Sequence, residues 1–185
     1  MVDCNFTRDE AFQGVRADCP EEIIARQELL KVEYYSFDGK LHRGQVVIDR
    51  DLTRDVSIVF GIARDHRFPI HSAIPMAHPS FLRNGQWDDC LSMEANNSSA
   101  FNYREIDGTD VLSYHAWGRA IDINPLLNPY VRGREVSPRG GTYDEKVPGT
   151  LLASHPIVKA FTELGWTWGG AWQHAKDYQH FEKSI

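Results

Sequence analysis

The chain reads as an α+β protein: a small, largely antiparallel sheet with packed helices and long loops over one face. Three observations predict this. β-rich runs flank Asp38-Gly39, a hairpin signal because both residues tolerate the turn's backbone. A later segment, Leu52 to His66, spaces its apolar residues as a helix does. Two long stretches, 71–98 and 124–150, are dominated by turn formers and polar residues, and connections of that length are usually functional or mobile.

Taken in order, residues 1–20 are polar and irregular. Pro20-Glu21-Glu22 suits a helix start, since proline fits the first turn and acids complement the dipole. That helix is expected to carry Ile23, Ile24, Leu29 and Leu30. Strands are expected over Val32–Phe37 and Gly44–Ile48. Val56, Val59, Phe60 and Ala63 recur at spacings of three and four, predicting an amphipathic helix from Leu52 to His66 that packs on the hairpin. After the first long loop, Ser99–Arg104 and Arg119–Ile123 read as short strands. A helix follows from about Pro156 to Leu164, stopped by Gly165. Trp166–Trp168 and Tyr178–Phe181 read as final strands. No repeat or second domain is evident, so 1–185 is taken as one domain.

Composition narrows the function. Of 185 residues, 20 are basic and 26 acidic, a net charge of −6. With no basic cluster, nucleic acid is a poor partner. No apolar run is long enough to span a bilayer, and the N-terminus lacks the basic start and apolar run of an export signal. The three cysteines, Cys4, Cys19 and Cys90, form no thiolate metal motif. Cys4 and Cys19 either pair in an oxidising compartment or remain thiols.

The chemistry concentrates in Ser113-Tyr114-His115-Ala116-Trp117-Gly118-Arg119-Ala120-Ile121-Asp122 and Asp177-Tyr178-Gln179-His180-Phe181-Glu182. A catalytic zinc takes three His or carboxylate ligands and leaves a fourth position open; His115, Asp122 and His180 supply such a set. His115 and Asp122 are an odd number of residues apart, so one straight strand cannot aim both at one ion. Gly118 can supply the turn between them. Ala120, Asp122 and Asn124 would then share a face while Ile121 and Ile123 enter the core. Amide hydrolysis also needs a proton carrier and a cation for the carbonyl oxygen. Asp177, three residues before His180, is the candidate carrier, and Arg104 the candidate cation. Each residue alone has a structural explanation: a His beside a glycine, a turn aspartate, a salt-bridged arginine. His174 is the competing ligand nearest the second segment.

The two segments resemble the VanY-type D-alanyl-D-alanine carboxypeptidases, a zinc peptidase family that also contains L-alanyl-D-glutamate endopeptidases. Ser113, His115, Gly118, Ala120 and Asp122 fill its Ser-x-His-x-x-Gly-x-Ala-x-Asp pattern. Asp177 and His180 fill the downstream acid-x-x-His, and Trp168-Gly169-Gly170 matches a preceding Trp-Gly-Gly. The match spans roughly residues 90–182. The resemblance implies Zn2+ on His115, Asp122 and His180, and Asp177 as general base and acid. It also implies an upstream arginine at the carbonyl, which fits Arg104, and a substrate-contacting or supporting hydroxyl at Ser113. The implied fold is the small α+β domain of D-Ala-D-Ala carboxypeptidases and their hedgehog-like relatives. The implied partner is a peptidoglycan stem peptide, and the implied location is the cell envelope or beyond it, or delivery by a phage; without an export signal a cytoplasmic location stays open.

Three readings follow: a carboxypeptidase trimming the terminal D-alanine, an endopeptidase cutting within the stem, or a zinc-containing wall-binding module without turnover. The first needs a cation for the substrate's terminal carboxylate, and Arg119, Arg132 and Arg134 are candidates.

Overall fold

The computed structural model describes residues 1–184. The N-terminal stretch is less irregular than its polarity suggests. Thr7 and Glu10 form a reciprocal capping box that nucleates a short helix, α1 (Arg8–Ala11). Helix α2 (Glu21–Arg26) starts after Pro20 as expected but stops before Leu29 and Leu30. Those residues belong to strand β1 (Gln27–Tyr35), which pairs with β2 (Leu41–Asp49) over its whole length, from Gln27 opposite Asp49 to Tyr35 opposite Leu41. An unbroken ladder satisfies the backbone of Leu29 and Leu30 where another helical turn would have to give it up. The turn between the strands contains Gly39 at φ 74°, and the Asp38 carboxylate accepts from the Lys40 amide.

Helix α3 (Thr53–Asp65) buries Val56, Val59, Phe60 and Ala63, the stripe its spacing predicts, and packs on β1. The first long loop contains small elements. Strand β3 (Ser72–Ala73) runs parallel to β6 (Asn97–Ser98), β4 (Leu82–Arg83) pairs with β5 (Gln86–Trp87), and α4 (Asp89–Glu94) is capped by Asp88. Residues 99–104 do not form the expected strand. The segment is extended but divides its bonds among three neighbours: Ser99 exchanges hydrogen bonds with Asp122, Phe101 donates to Val47 and Asn102 to His115.

A single sheet was expected, but several small ones form. Strand β7 (Ala120–Asp122) lies beside β12 (His180–Glu182), which lies beside β10 (Thr167–Trp168). A second set orders β11 (Lys176–Asp177), β8 (Tyr130–Arg132) and β9 (Glu135–Ser137). Helix α5 (Pro156–Glu163) is capped by the His155 ring, which accepts from the Ile157 amide. It packs on α3 and β10.

Two apolar cores result. The larger joins α3, α5 and the hairpin to Ile121, Ile123, Trp166, Trp168 and Phe181. The smaller gathers Ala11, Ile23, Val47, Phe101, Tyr103 and Ala116. Residues 99–123 contribute to both, Ala100, Ile121 and Ile123 to the larger and Phe101, Tyr103 and Ala116 to the smaller. The second long loop is tied down by buried amides. The Asn128 side chain donates to the carbonyls of Ile123, Asn124 and Gly149 and accepts from the Leu151 amide. Asn128→Ala leaves these buried groups unpaired. It should lower unfolding free energy by about 2–4 kcal/mol, read from urea denaturation; a loss below about 0.5 kcal/mol would contradict this role.

Candidate active site

His115 lies on a short 3-10 turn, Tyr114–Trp117, whose first free amide is taken by the Ser113 hydroxyl oxygen. The turn ends at Gly118 in the left-handed region, φ 64°. A methyl group there would overlap the Gln27 side-chain oxygen at 1.9 Å and press on the Asp49 backbone nitrogen at 2.8 Å. Only glycine combines that φ with so close an approach to the hairpin. The reversal delivers the chain into β7, with Ile121 and Ile123 in the larger core. Asp122 points to the other side, and β12 brings His180 directly opposite it.

Three donor atoms converge. His180 Nδ1 lies 3.0 Å from Asp122 Oδ1, His115 Nε2 lies 3.3 Å from the same oxygen, and the two ring nitrogens are 3.2 Å apart. All three residues are buried and can together hold a metal ion. Ligands of a tetrahedral ion bound at about 2.0–2.1 Å sit about 3.3 Å apart, so the triangle matches one face of such a site. His115 donates from Nδ1 to the Ala100 carbonyl at 2.6 Å, which leaves Nε2 facing inward. His180 Nε2 lies 3.0 Å from Glu182 Oε2, a contact the sequence analysis missed. The i, i+2 spacing on one strand could have disclosed it.

Charge in this pocket is concentrated. Burial works against the Asp122 carboxylate, but His115 and His180 hold its pKa far below the usual range. Burial disfavours protonated His180, yet hydrogen bonds to Asp122 and Glu182 push it up to about 10. A bound cation must therefore displace a proton from this ring.

Asp177 ends β11, and a two-residue turn leads to His180. Its Oδ1 is buried without a hydrogen-bond partner. Burial pushes its pKa up to about 6, and Asp122 adds to the push while His180, Gln179 and His115 pull the other way. Gly169 explains the Trp-Gly-Gly element: a methyl group there would sit 2.5 Å from the Asp177 carbonyl oxygen and 2.8 Å from its Cβ. The turn is braced by Tyr178, stacked on Tyr143 with ring centres 3.6 Å apart. The Trp172 ring stands 5.7 Å from that of His180.

Arg104 is coupled to the same group through its charge. Burial opposes its charge, but Asp89, Asp122, Asp107 and Asp177 together raise its pKa. Asp89 fixes one end of the guanidinium at 2.9 Å, while Nε is buried and unpartnered. His174 is exposed and lies outside the ligand group.

Of the candidate carboxylate anchors, Arg119 is committed elsewhere, donating to the carbonyls of Lys183 and Ser184. Arg132 and Arg134 are exposed on the β8–β9 hairpin, next to the strand that carries Asp177. All three cysteines are free. Two surface cavities, of about 670 and 610 Å³, lie elsewhere and are lined by none of His115, Asp122, Asp177 or His180.

Residues 107–183 match the family model described as D-alanyl-D-alanine carboxypeptidase. The matched stretch, less than half of the chain, is similar to this VanY-like peptidase family. The match takes in both motifs and starts just after Arg104, so the family model does not itself cover that arginine. No curated protein and no solved structure matches the chain. Among the described residues, no helix is long and apolar enough to cross a membrane.

The raised pKa of Asp177 has a consequence for stability. The folded state holds this proton more tightly than the unfolded chain, so stability falls as pH rises from the ordinary carboxyl value to about 6. Asp177→Asn removes that penalty. Chelator-treated Asp177→Asn should melt on the order of 5 °C above the parent at pH 8, with the gain vanishing below about pH 4. Equal melting at pH 8 would show that the carboxylate carries no such cost.

Proposed function

We propose that this protein is a zinc metallopeptidase that hydrolyses amide bonds in peptidoglycan stem peptides, acting as a D-alanyl-D-alanine carboxypeptidase outside the cytoplasm. The observation that carries the reading is the buried triangle of His115, Asp122 and His180 with the unpartnered Asp177 oxygen beside it. Structural zinc sites are closed by four ligands and favour cysteine. Three His and carboxylate donors beside an unused acid fit a catalytic site better.

Zinc in this position would supply Lewis acidity, polarising a carbonyl and making water easier to deprotonate. The remaining steps belong to the chain. Asp177, with a pKa near 6, takes the proton of the attacking water on a carboxylate oxygen and returns it to the departing amine nitrogen. Arg104, anchored by Asp89 and left with a free Nε donor, neutralises the charge that develops on the carbonyl oxygen. Ser113 caps the turn that carries His115, and its own hydroxyl proton remains free to donate to substrate.

Trimming a terminal residue requires a cation for the free carboxylate. Arg132 is favoured by register: Asp177 pairs with Tyr130, so their side chains leave the same face, and Arg132 follows two residues along β8. Arg132 is exposed and makes no ion pair among the described residues, although Glu135 sits opposite it. The fold reading that accompanies this function is the D-Ala-D-Ala carboxypeptidase and hedgehog-like arrangement, supported by the mixed helices and small antiparallel sheets.

The test is digestion of purified stem peptides by zinc-loaded protein, read by mass spectrometry with a chelated control. Chelator-sensitive release of one terminal alanine is expected. Internal fragments would replace the carboxypeptidase by an endopeptidase, and no cleavage with zinc bound would favour a wall-binding module. Asp177→Ala should abolish turnover with zinc retained. Arg132→Ala should raise KM about 10-fold or more with kcat little changed, as loss of uniform binding does; an unaltered KM would remove Arg132 from substrate recognition.

A further inference from the structure

We propose that Glu182 is a positioning residue that holds the proton of the His180 imidazole on Nε2, so that Nδ1 is the nitrogen presented to the metal. The inference rests on the zinc reading above and concerns how this chain chooses the ligand atom.

A neutral imidazole has one N–H and one lone pair, and the partner of one nitrogen decides which is which. The two histidines here solve this in opposite ways. His115 turns Nε2 inward because its Nδ1 donates to the Ala100 carbonyl. His180 turns Nδ1 inward, 3.0 Å from Asp122, and its Nε2 meets the Glu182 carboxylate at 3.0 Å. Glu182 can only accept when ionised, so it selects a proton on Nε2. Among the described residues no other acceptor bonds that nitrogen.

The placement follows from the strand. His180 and Glu182 are two apart on β12, so both side chains leave the same face. The Glu182 backbone is fixed from both sides, opposite Thr167 on β10 and Ala120 on β7. Its side chain is partly exposed, at 23%, so truncation opens no cavity in the core. The orienting group of His115 is a backbone carbonyl that no substitution removes, whereas that of His180 is a side chain. The contribution of an orienting acceptor can therefore be isolated at His180 alone. A carboxylate in this position also raises the basicity of the ring it holds.

The experiment measures zinc affinity at pH 7.5 by competition with a chromophoric chelator for the parent chain, Glu182→Ala and Glu182→Gln. Long-range proton–nitrogen NMR of the zinc-loaded parent assigns the protonated nitrogen of His180. Glu182→Ala should weaken zinc binding about 10–100-fold, while Glu182→Gln, which keeps an acceptor oxygen, should recover most of the loss. The NMR spectrum should show Nε2 protonated and Nδ1 on the metal. Unchanged affinity in Glu182→Ala, no recovery in Glu182→Gln, or zinc on Nε2 would each overturn the proposal. A parent chain that binds no zinc is a different result, since it removes the metallopeptidase reading itself and the inference with it.

Discussion

The pairing of β12 with β7 is the constraint on which the site depends. It sets His180 opposite Asp122, so two of the three donors are fixed by a backbone ladder rather than by flexible side chains. The pleat sends Ile121 and Phe181, the neighbouring pair, into the larger core and leaves the ligands on the other face. Slipping β12 by one residue would turn the His180 imidazole in among apolar side chains and Phe181 out onto the polar face. The hydrophobic effect therefore enforces the geometry of the polar group. His115 joins from the smaller core, where its neighbour Ala116 packs. The donor triangle thus sits at the seam of two cores.

Around that rigid triangle the protein keeps groups that are poorly satisfied. Asp177 buries an oxygen without a partner, and Arg104 buries an unpartnered Nε. Unmade hydrogen bonds of this kind cost stability, and native structures concentrate them where charge or protons must move. Asn128 is the contrast: its amide is also fully buried, yet both its nitrogen and its oxygen are paired. One polar group holds the loops together, and the other waits beside the proposed metal ligands. Holding Asp177 there requires the close approach that Gly169 permits and the Tyr143–Tyr178 stack that braces the turn.

Much of this was legible in the sequence. The α3 stripe, the Asp38-Gly39 turn and the start of α5 are local features, and local patterns specified them. The gathering of His115, Asp122 and His180 was legible because motif and glycine spacing record the turn at Gly118. What escaped depended on partners distant in the chain. Leu29 and Leu30 carry no mark showing that a long ladder with β2 outcompetes the helix before them. Residues 99–104 resemble a strand in composition, but their bonds are divided among β2, β7 and the His115 turn. Arg119 looked available to substrate, and only the return of the C-terminus reveals its carbonyl partners. Glu182 was hidden for another reason: a carboxylate beside an aromatic residue at a strand end ordinarily faces solvent.

The central claim is that His115, Asp122 and His180 form a zinc site with nitrogen and oxygen donors. X-ray absorption at the zinc edge of the loaded protein tests it most directly. The account predicts four-coordinate zinc with nitrogen and oxygen scatterers at about 2.0–2.1 Å and a clear imidazole signature. Sulfur at about 2.3 Å would place the metal on a cysteine and contradict it.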